Sequence, residues 1–302
     1  MIKQLFERIL PKYTKRRLAI RLALYAAKRP WRIPQRVNRT NILLFREFAN
    51  LEAHCAICGH RGTLFFEMPD LKLRRDHGIG LFRETLQCKS CGSTMRQRTL
   101  ALVLMKVLLE HFGISGSTLS EVVARNQDLA FWDTDAFSPL SAIVSSGRNS
   151  VLSKFVPSEP FGAELEEKIF NIDLQKISFP SSSYDVILSS DVMEHVRDDA
   201  SAHAEIFRCL KPGGAYVFTV PYNEDRARTT HLIQTSSARD LFLGIPHFHG
   251  DPIRGGILAY RIYGRELIDQ LESIGFVVRF HWIDSPAEGI ISGDCFVATK
   301  PA

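Results

Sequence analysis

Apolar positions along this chain recur in two rhythms. Short β-rich runs at residues 129–133, 151–156, 168–173, 184–189 and 215–220 predict strands, and the stretches 139–146 and 200–210 between them predict helices. Strands alternating with helices imply a parallel sheet with crossover helices on its faces, so the expected fold is α/β and doubly wound. After the fifth strand a helix at 264–273, stopped by Gly275, leads to two more strands at 276–282 and 294–299. Ahead of the first strand, the apolar run 99–109 predicts a helix that ends near Gly113 and joins the preceding segment to the sheet.

One interval has no period. Residues 221–262 are rich in His, Arg and Gly, and so long an irregular stretch in a compact domain reads as a lid or substrate loop. His231, His247, His249, Arg254 and Arg261 are its candidate substrate residues. The two guanidinium groups suit a phosphate or carboxylate. In an extended segment His247 and His249 would share a face, as a metal or proton-transfer pair; the plainer reading is a polar lid whose histidines bond backbone.

Charge and cysteine placement add a front end to this picture. Residues 1–40 hold twelve Lys or Arg against Glu7 alone, a net +11, and leave −6 for the rest of a chain whose total is +5. Such an arm, partly helical around residues 18–24, seeks phosphate on nucleic acid, an anionic membrane surface or a lipid-linked intermediate, and composition does not choose among them. Arg21, Lys28, Arg29 and Pro30 interrupt or close its apolar run, which disfavours a spanning helix and a cleavable signal. The expected location is cytoplasmic, with contact to a membrane left open.

Of six cysteines, four form two Cys-x-x-Cys-Gly knuckles, Cys55/Cys58 before Gly59 and Cys88/Cys91 before Gly92. Two-residue spacing aims both thiolates of a knuckle at one point, and four thiolates make a closed tetrahedral Zn2+ site that is structural rather than catalytic. The expected organisation is a basic arm at 1–50, a zinc ribbon at 51–98 and an α/β domain at 99–302 with the insertion at 221–262.

The succession Asn171-Ile172-Asp173-Leu174-Gln175, Phe179-Pro180, Tyr184-Asp185-Val186-Ile187-Leu188-Ser189-Ser190-Asp191-Val192-Met193-Glu194-His195-Val196, Leu210-Lys211-Pro212-Gly213-Gly214 and Val220-Pro221 resembles the central block of class I S-adenosylmethionine-dependent methyltransferases. The resemblance implies a seven-stranded Rossmann-like sheet whose last strand runs antiparallel. It also implies S-adenosyl-L-methionine as cofactor, and methyl transfer to an oxygen or nitrogen of a small-molecule or glycan-like acceptor. Asp173 and Leu174 would lie near the adenine, Ser190 and Asp191 would close the pocket beside the donor methyl, and His195 would be the candidate catalytic base.

Two departures bear on the cofactor site. No glycine occurs between Gly116 and Gly147, where the family places a glycine-rich loop; the chain instead offers Asp133, Thr134 and Asp135, with Ser138 and Pro139 opening a helix. Backbone amides there would meet the cofactor carboxylate, and Asp133 or Asp135 its ammonium. At the end of the second strand, where an acid should hold the ribose hydroxyls, the chain has Lys154 or, later, Glu159. A crevice plugged by Trp132 or Phe137 would exclude an adenosyl group. The alternative is a protein that keeps the fold without the reaction and binds nucleic acid or a protein partner through its arm and ribbon.

Overall fold

The computed structural model describes residues 52–63, 65–66, 82–235, 240–244, 246–249 and 256–302; the basic arm lies outside them. The chain opens with strands β1 (Glu52–His54), β2 (Arg61–Thr63) and β3 (Phe65–Phe66), a short helix α1 (Phe82–Thr85) and β4 (Leu86–Gln87). Helix α2 (Met95–Phe112) follows, started by a capping box in which the Thr94 side chain accepts from Gln97 N while Gln97 accepts from Thr94 N, and ended by Gly113 in the left-handed region. The boundary expected at residue 98 therefore falls within a helix.

The main sheet is built from β5 (Phe131–Asp133), β6 (Val151–Lys154), β7 (Glu164–Glu166), β8 (Ile169–Asn171), β9 (Tyr184–Ser190) and β10 (Leu210–Thr219). Helices α3 (Leu119–Arg125) and α4 (Pro139–Val144) precede β5 and β6, and α5 (Asp199–Cys209) precedes β10. The insertion forms short strands β11 to β16, at Thr230–His231, Ile233–Gln234, Leu241–Phe242, Phe248–His249, Ile257–Leu258 and Arg261–Ile262. Helix α6 (Glu266–Ile274) and strands β17 (Val277–Ser285) and β18 (Ile290–Thr299) complete the chain.

Strand order across the sheet is β17-β18-β10-β9-β5-β6-β8-β7. Strands β8, β6, β5, β9 and β10 run parallel, and β18 returns antiparallel between β10 and β17. The sheet thus has the seven strands the resemblance implies and an eighth, β7, paired antiparallel to β8 at the edge. The chain moves from β5 outward to β6 on one side and resumes with β9 on the other, so the reversal of strand order lies between β5 and β9. Ligands of doubly wound sheets enter beyond the carboxyl ends of the strands at such a reversal.

Alternate residues of each strand feed two cores. Phe131, Val186, Leu188, Val217 and Val297 pack against α2, α3 and α4, whereas Trp132, Ile187, Tyr216, Phe218 and Phe296 pack against α5 and α6. The first core also contains Cys55, Ile57, Leu86 and Cys88, so the cysteine segment shares its interior with the sheet instead of sitting in front of it. Ala56 O and Ile57 O accept the first two amides of α3, from Leu119 N and Ser120 N, at 2.8 and 3.1 Å.

Candidate functional site

The tips of β5, β8 and β9 carry most of the residues expected to hold a cofactor. Asp133 ends β5 and is almost fully buried. Its Oδ1 accepts from Asp135 N at 3.0 Å and its Oδ2 from the Ser141 hydroxyl at 3.0 Å. Asp135 Oδ1 in turn accepts from Phe137 N at 2.9 Å, and Ser138 caps α4 by accepting from Ser141 N at 3.0 Å. Burial pushes both carboxyls upward from the usual range, Asp133 furthest, with Asp135 adding repulsion. Thr134 is buried, and its hydroxyl has no hydrogen-bond partner among the described residues.

Asp173 lies just past β8, where its Oδ1 accepts from Gln175 N and Gln175 Nε2 at 2.9 and 3.0 Å; Leu174 is buried in the second core. Lys154 ends β6 and pairs with Glu166 of the added strand at 2.6 Å. Glu159 is exposed in the loop beyond, and its carbonyl accepts from Asn171 Nδ2. Neither Lys154 nor Glu159 forms a free acidic tip on β6. Of the two rings that would plug the crevice, Trp132 sits in the second core with Nε1 donating to Ser153 Oγ at 2.9 Å, and Phe137 is exposed.

The tip of β9 is covered instead by arginines from the cysteine segment. Asp191 adopts a positive φ of 54° and accepts from Thr219 Oγ1 at 2.9 Å. Arg83 of α1 grips it with both Nη1 and Nη2, the second at 2.9 Å, and also donates to Asp294 Oδ1 at 3.3 Å. Arg96, in the first turn of α2, donates to Ser190 O at 3.0 Å and to the Ser190 hydroxyl. Its Nε and Nη2 hold the two oxygens of Glu84 at 2.7 and 2.9 Å. These cations hold the Asp191 carboxyl below the usual carboxylate range despite its burial. Arg83, Glu84 and Arg96 were not among the residues the sequence suggested. The available signal was Arg96 after the second knuckle, at the start of an otherwise apolar helix; Arg83, ahead of that knuckle, carried none.

His195 ends a 3-10 turn, Met193–His195. Its Nδ1 lies 2.9 Å from Leu258 O and its Nε2 3.6 Å from Glu194 Oε1, so the ring ties the insertion to the β9 end. Arg261, expected on the substrate, is buried under that turn. Its guanidinium donates to Val196 O and Arg197 O, each at 2.7 Å, and pairs with Asp199 at 3.2 Å. It is a structural clamp. His231 and His247 are exposed, and His247 O accepts from Ala259 N. His249 stands opposite Ile257 in the β14–β15 ladder, and Arg254 lies outside the described residues. The shared face expected for His247 and His249 would need an extended segment, but the strand here begins only at Phe248.

The four knuckle cysteines come together. Their sulfurs lie within 4.8 Å of one another, with Cys55–Cys91 and Cys58–Cys88 at 3.8 Å. A tetrahedral zinc with Zn–S bonds of about 2.3 Å requires sulfur pairs about 3.8 Å apart, so the donor set fits that ion in number, type and spacing. Gly59 and Gly92 take the positive φ values, 79° and 73°, that close the knuckles. Arg98 lies fully buried beside them, donating to Ser93 O, Leu86 O and Gly289 O at 2.6, 2.9 and 2.9 Å.

The sheet order and the strand tips define a Rossmann-like methyltransferase fold, and residues 153–218 match the family model described as a methyltransferase domain. Among curated proteins the chain is similar to a dimethylglycine N-methyltransferase of Parasynechococcus marenigrum, 34% identical over 21% of this chain and 23% of that one. It is also similar to a probable S-adenosylmethionine-dependent methyltransferase of Mycolicibacterium smegmatis, 37% identical over 35% of this chain and 34% of that one. The chain thus spans about a quarter to a third of the length of these relatives. Among solved structures, an S-adenosylmethionine-dependent methyltransferase from Mesorhizobium loti aligns with a TM-score of 0.37 at 16% identity, over 57% of this chain and 91% of that one.

Proposed function

We propose that the protein is an S-adenosylmethionine-dependent methyltransferase acting on an oxygen or nitrogen of a small-molecule or glycan-like acceptor, with a structural zinc in its cysteine cluster. The supporting observation is the gathering of Asp133, Thr134 and Asp135, Asp173, and Ser190 and Asp191 along one edge of the sheet, across its switch point. These residues fit the cofactor chemically: acidic groups suit its ammonium and exocyclic amine, and the buried, unpartnered Thr134 hydroxyl is a donor awaiting an acceptor.

When bound, the cofactor would supply a sulfonium methyl open to in-line attack. The protein's share is then to align the acceptor and exclude water. The insertion suits that role, because it is pinned beside the β9 tip through Tyr260 N to Glu194 O at 2.8 Å and through His195. The Nδ1 of His195 bonds Leu258 O while its Nε2 lies 3.6 Å from Glu194 Oε1, so the ring orients the insertion beside the β9 tip. The matching proteins are named for different acceptors, dimethylglycine in one case and a sterol carbon in another.

Isothermal titration with S-adenosylhomocysteine tests the reading. Micromolar binding supports it, and no heat at millimolar ligand removes it. The competing reading, a fold retained without catalysis, is favoured by the arginine pairs on the β9 tip. It requires that absence of binding, together with salt-sensitive nucleic-acid binding that disappears when residues 1–40 are deleted.

A further inference from the structure

Beyond β5, several amides of the loop and of the helix start that follows are turned onto neighbouring side chains. Asp135 N bonds Asp133, Phe137 N bonds Asp135 and Ser141 N bonds Ser138, and no glycine lets the backbone turn them outward. With these amides occupied, a ligand carboxylate arriving at the switch point is best met by a cation. Arg96 stands there. It touches Ser190 at the tip of β9, and its charge acts on both Asp133 and Asp135 beyond the tip of β5.

The guanidinium of Arg96 already holds a carboxylate in the planar fork-to-fork manner, with Glu84 as its occupant at 2.7 and 2.9 Å. The two members differ in setting. Arg96 is 14% exposed at its side chain, whereas Glu84 is 40% exposed on a helix of only four residues. Glu84 can therefore leave for water while Arg96 stays. Arg83 is different: it reaches Glu84 Oε1 only at 3.4 Å, and its other partners, Asp191 and Asp294, lie in the sheet region and are shielded.

We infer that Arg96, delivered by the cysteine segment, binds the methionyl carboxylate of the cofactor, and that Glu84 is an internal stand-in which the ligand displaces. The inference rests on the methyltransferase reading above. One fork-to-fork pair exchanges for another, so the displacement costs little beyond freeing Glu84. Asp135, on the other side of the switch point, completes the recognition of an α-amino acid end by supplying the anion its ammonium needs.

The test uses the full zinc-loaded chain and two ligands, S-adenosylhomocysteine and 5′-methylthioadenosine, which lacks the amino-acid end. Titration of Arg96→Ala should show S-adenosylhomocysteine weakened on the order of 10- to 100-fold, with methylthioadenosine unchanged. Glu84→Gln should tighten S-adenosylhomocysteine several-fold and leave methylthioadenosine alone, and it keeps the test decisive should Arg96→Ala fail to fold. Equal losses for both ligands, or unaltered S-adenosylhomocysteine binding in both variants, overturn the inference while leaving the methyltransferase reading intact. Wild-type protein that binds neither ligand overturns that reading itself.

Discussion

Arg261 and His203 show what single buried polar groups do here. Arg261 is 3% exposed and satisfies the carbonyls of Val196 and Arg197, while Asp199 balances its charge. Arg261→Ala leaves those acceptors and that carboxylate without their partner, so a loss of about 3–5 kcal/mol is expected in urea unfolding. Arg261→Lys should recover little of it, since a point charge cannot span the same carbonyls. His203 is fully buried among Tyr216 and Phe218, with no hydrogen-bond partner at either ring nitrogen among the described residues, and burial pushes its imidazole down to about 4. Asp199 opposes that shift and Arg261 reinforces it. The unfolded chain therefore binds a proton that the native one refuses between pH 6.5 and 4, and stability falls as pH drops through that window. The contribution lost is roughly 3 kcal/mol. Unfolding free energies measured from pH 7 to pH 4 should decline less steeply in His203→Phe than in the wild type, and parallel profiles would contradict this.

Helix α2 and strand β18 illustrate how far element patterns can be read. The apolar run 99–109 announces a helix, but the start at Met95 depends on Thr94 and Gln97, and the close contact with the sheet depends on Gly293, where a Cβ would lie 2.3 Å from Thr99 Oγ1. Thr94→Ala should cost about 1 kcal/mol by removing the cap, and Gly293→Ala about 1–3 kcal/mol by forcing α2 off β18; thermal melts of both variants check the order. The parallel strands were legible because they are short apolar runs bounded by turns, and β9 was read to within one residue. Strand β7 was not, because Glu164-Leu165-Glu166 has one apolar residue and pairs only through a turn at Lys168, whose φ is 60°. At the site, the acidic tips Asp133, Asp173 and Asp191 were visible from their places after strands. Arg83 and Arg96 were not, since they meet Asp191 and Ser190 across 108 and 94 residues of sequence, a distance no local pattern spans.

At the scale of the whole molecule, the cysteine cluster and the methyltransferase sheet behave as one body. Four thiolates around a Zn2+ would carry a net charge of about −2, which Arg98 would offset from its fully buried position, where it also binds Gly289 O at the turn before β18. The same core holds Cys55, Cys88, Val186 and Val217 together. Without such an ion, like-charged or protonated thiols would be crowded against a desolvated guanidinium, and the strain would pass into α2 and β18. Chelation, or Cys88→Ser, should lower the melting temperature of the whole protein in a single transition, because the knuckle cysteines and the sheet residues belong to one shared core. It should also weaken S-adenosylhomocysteine binding below that temperature by on the order of 10- to 100-fold, because Arg83 and Glu84 lie shortly before the second knuckle and Arg96 shortly after it. Two well-separated calorimetric transitions, or full ligand affinity in the metal-free protein, would show instead that the ribbon and the crevice are independent.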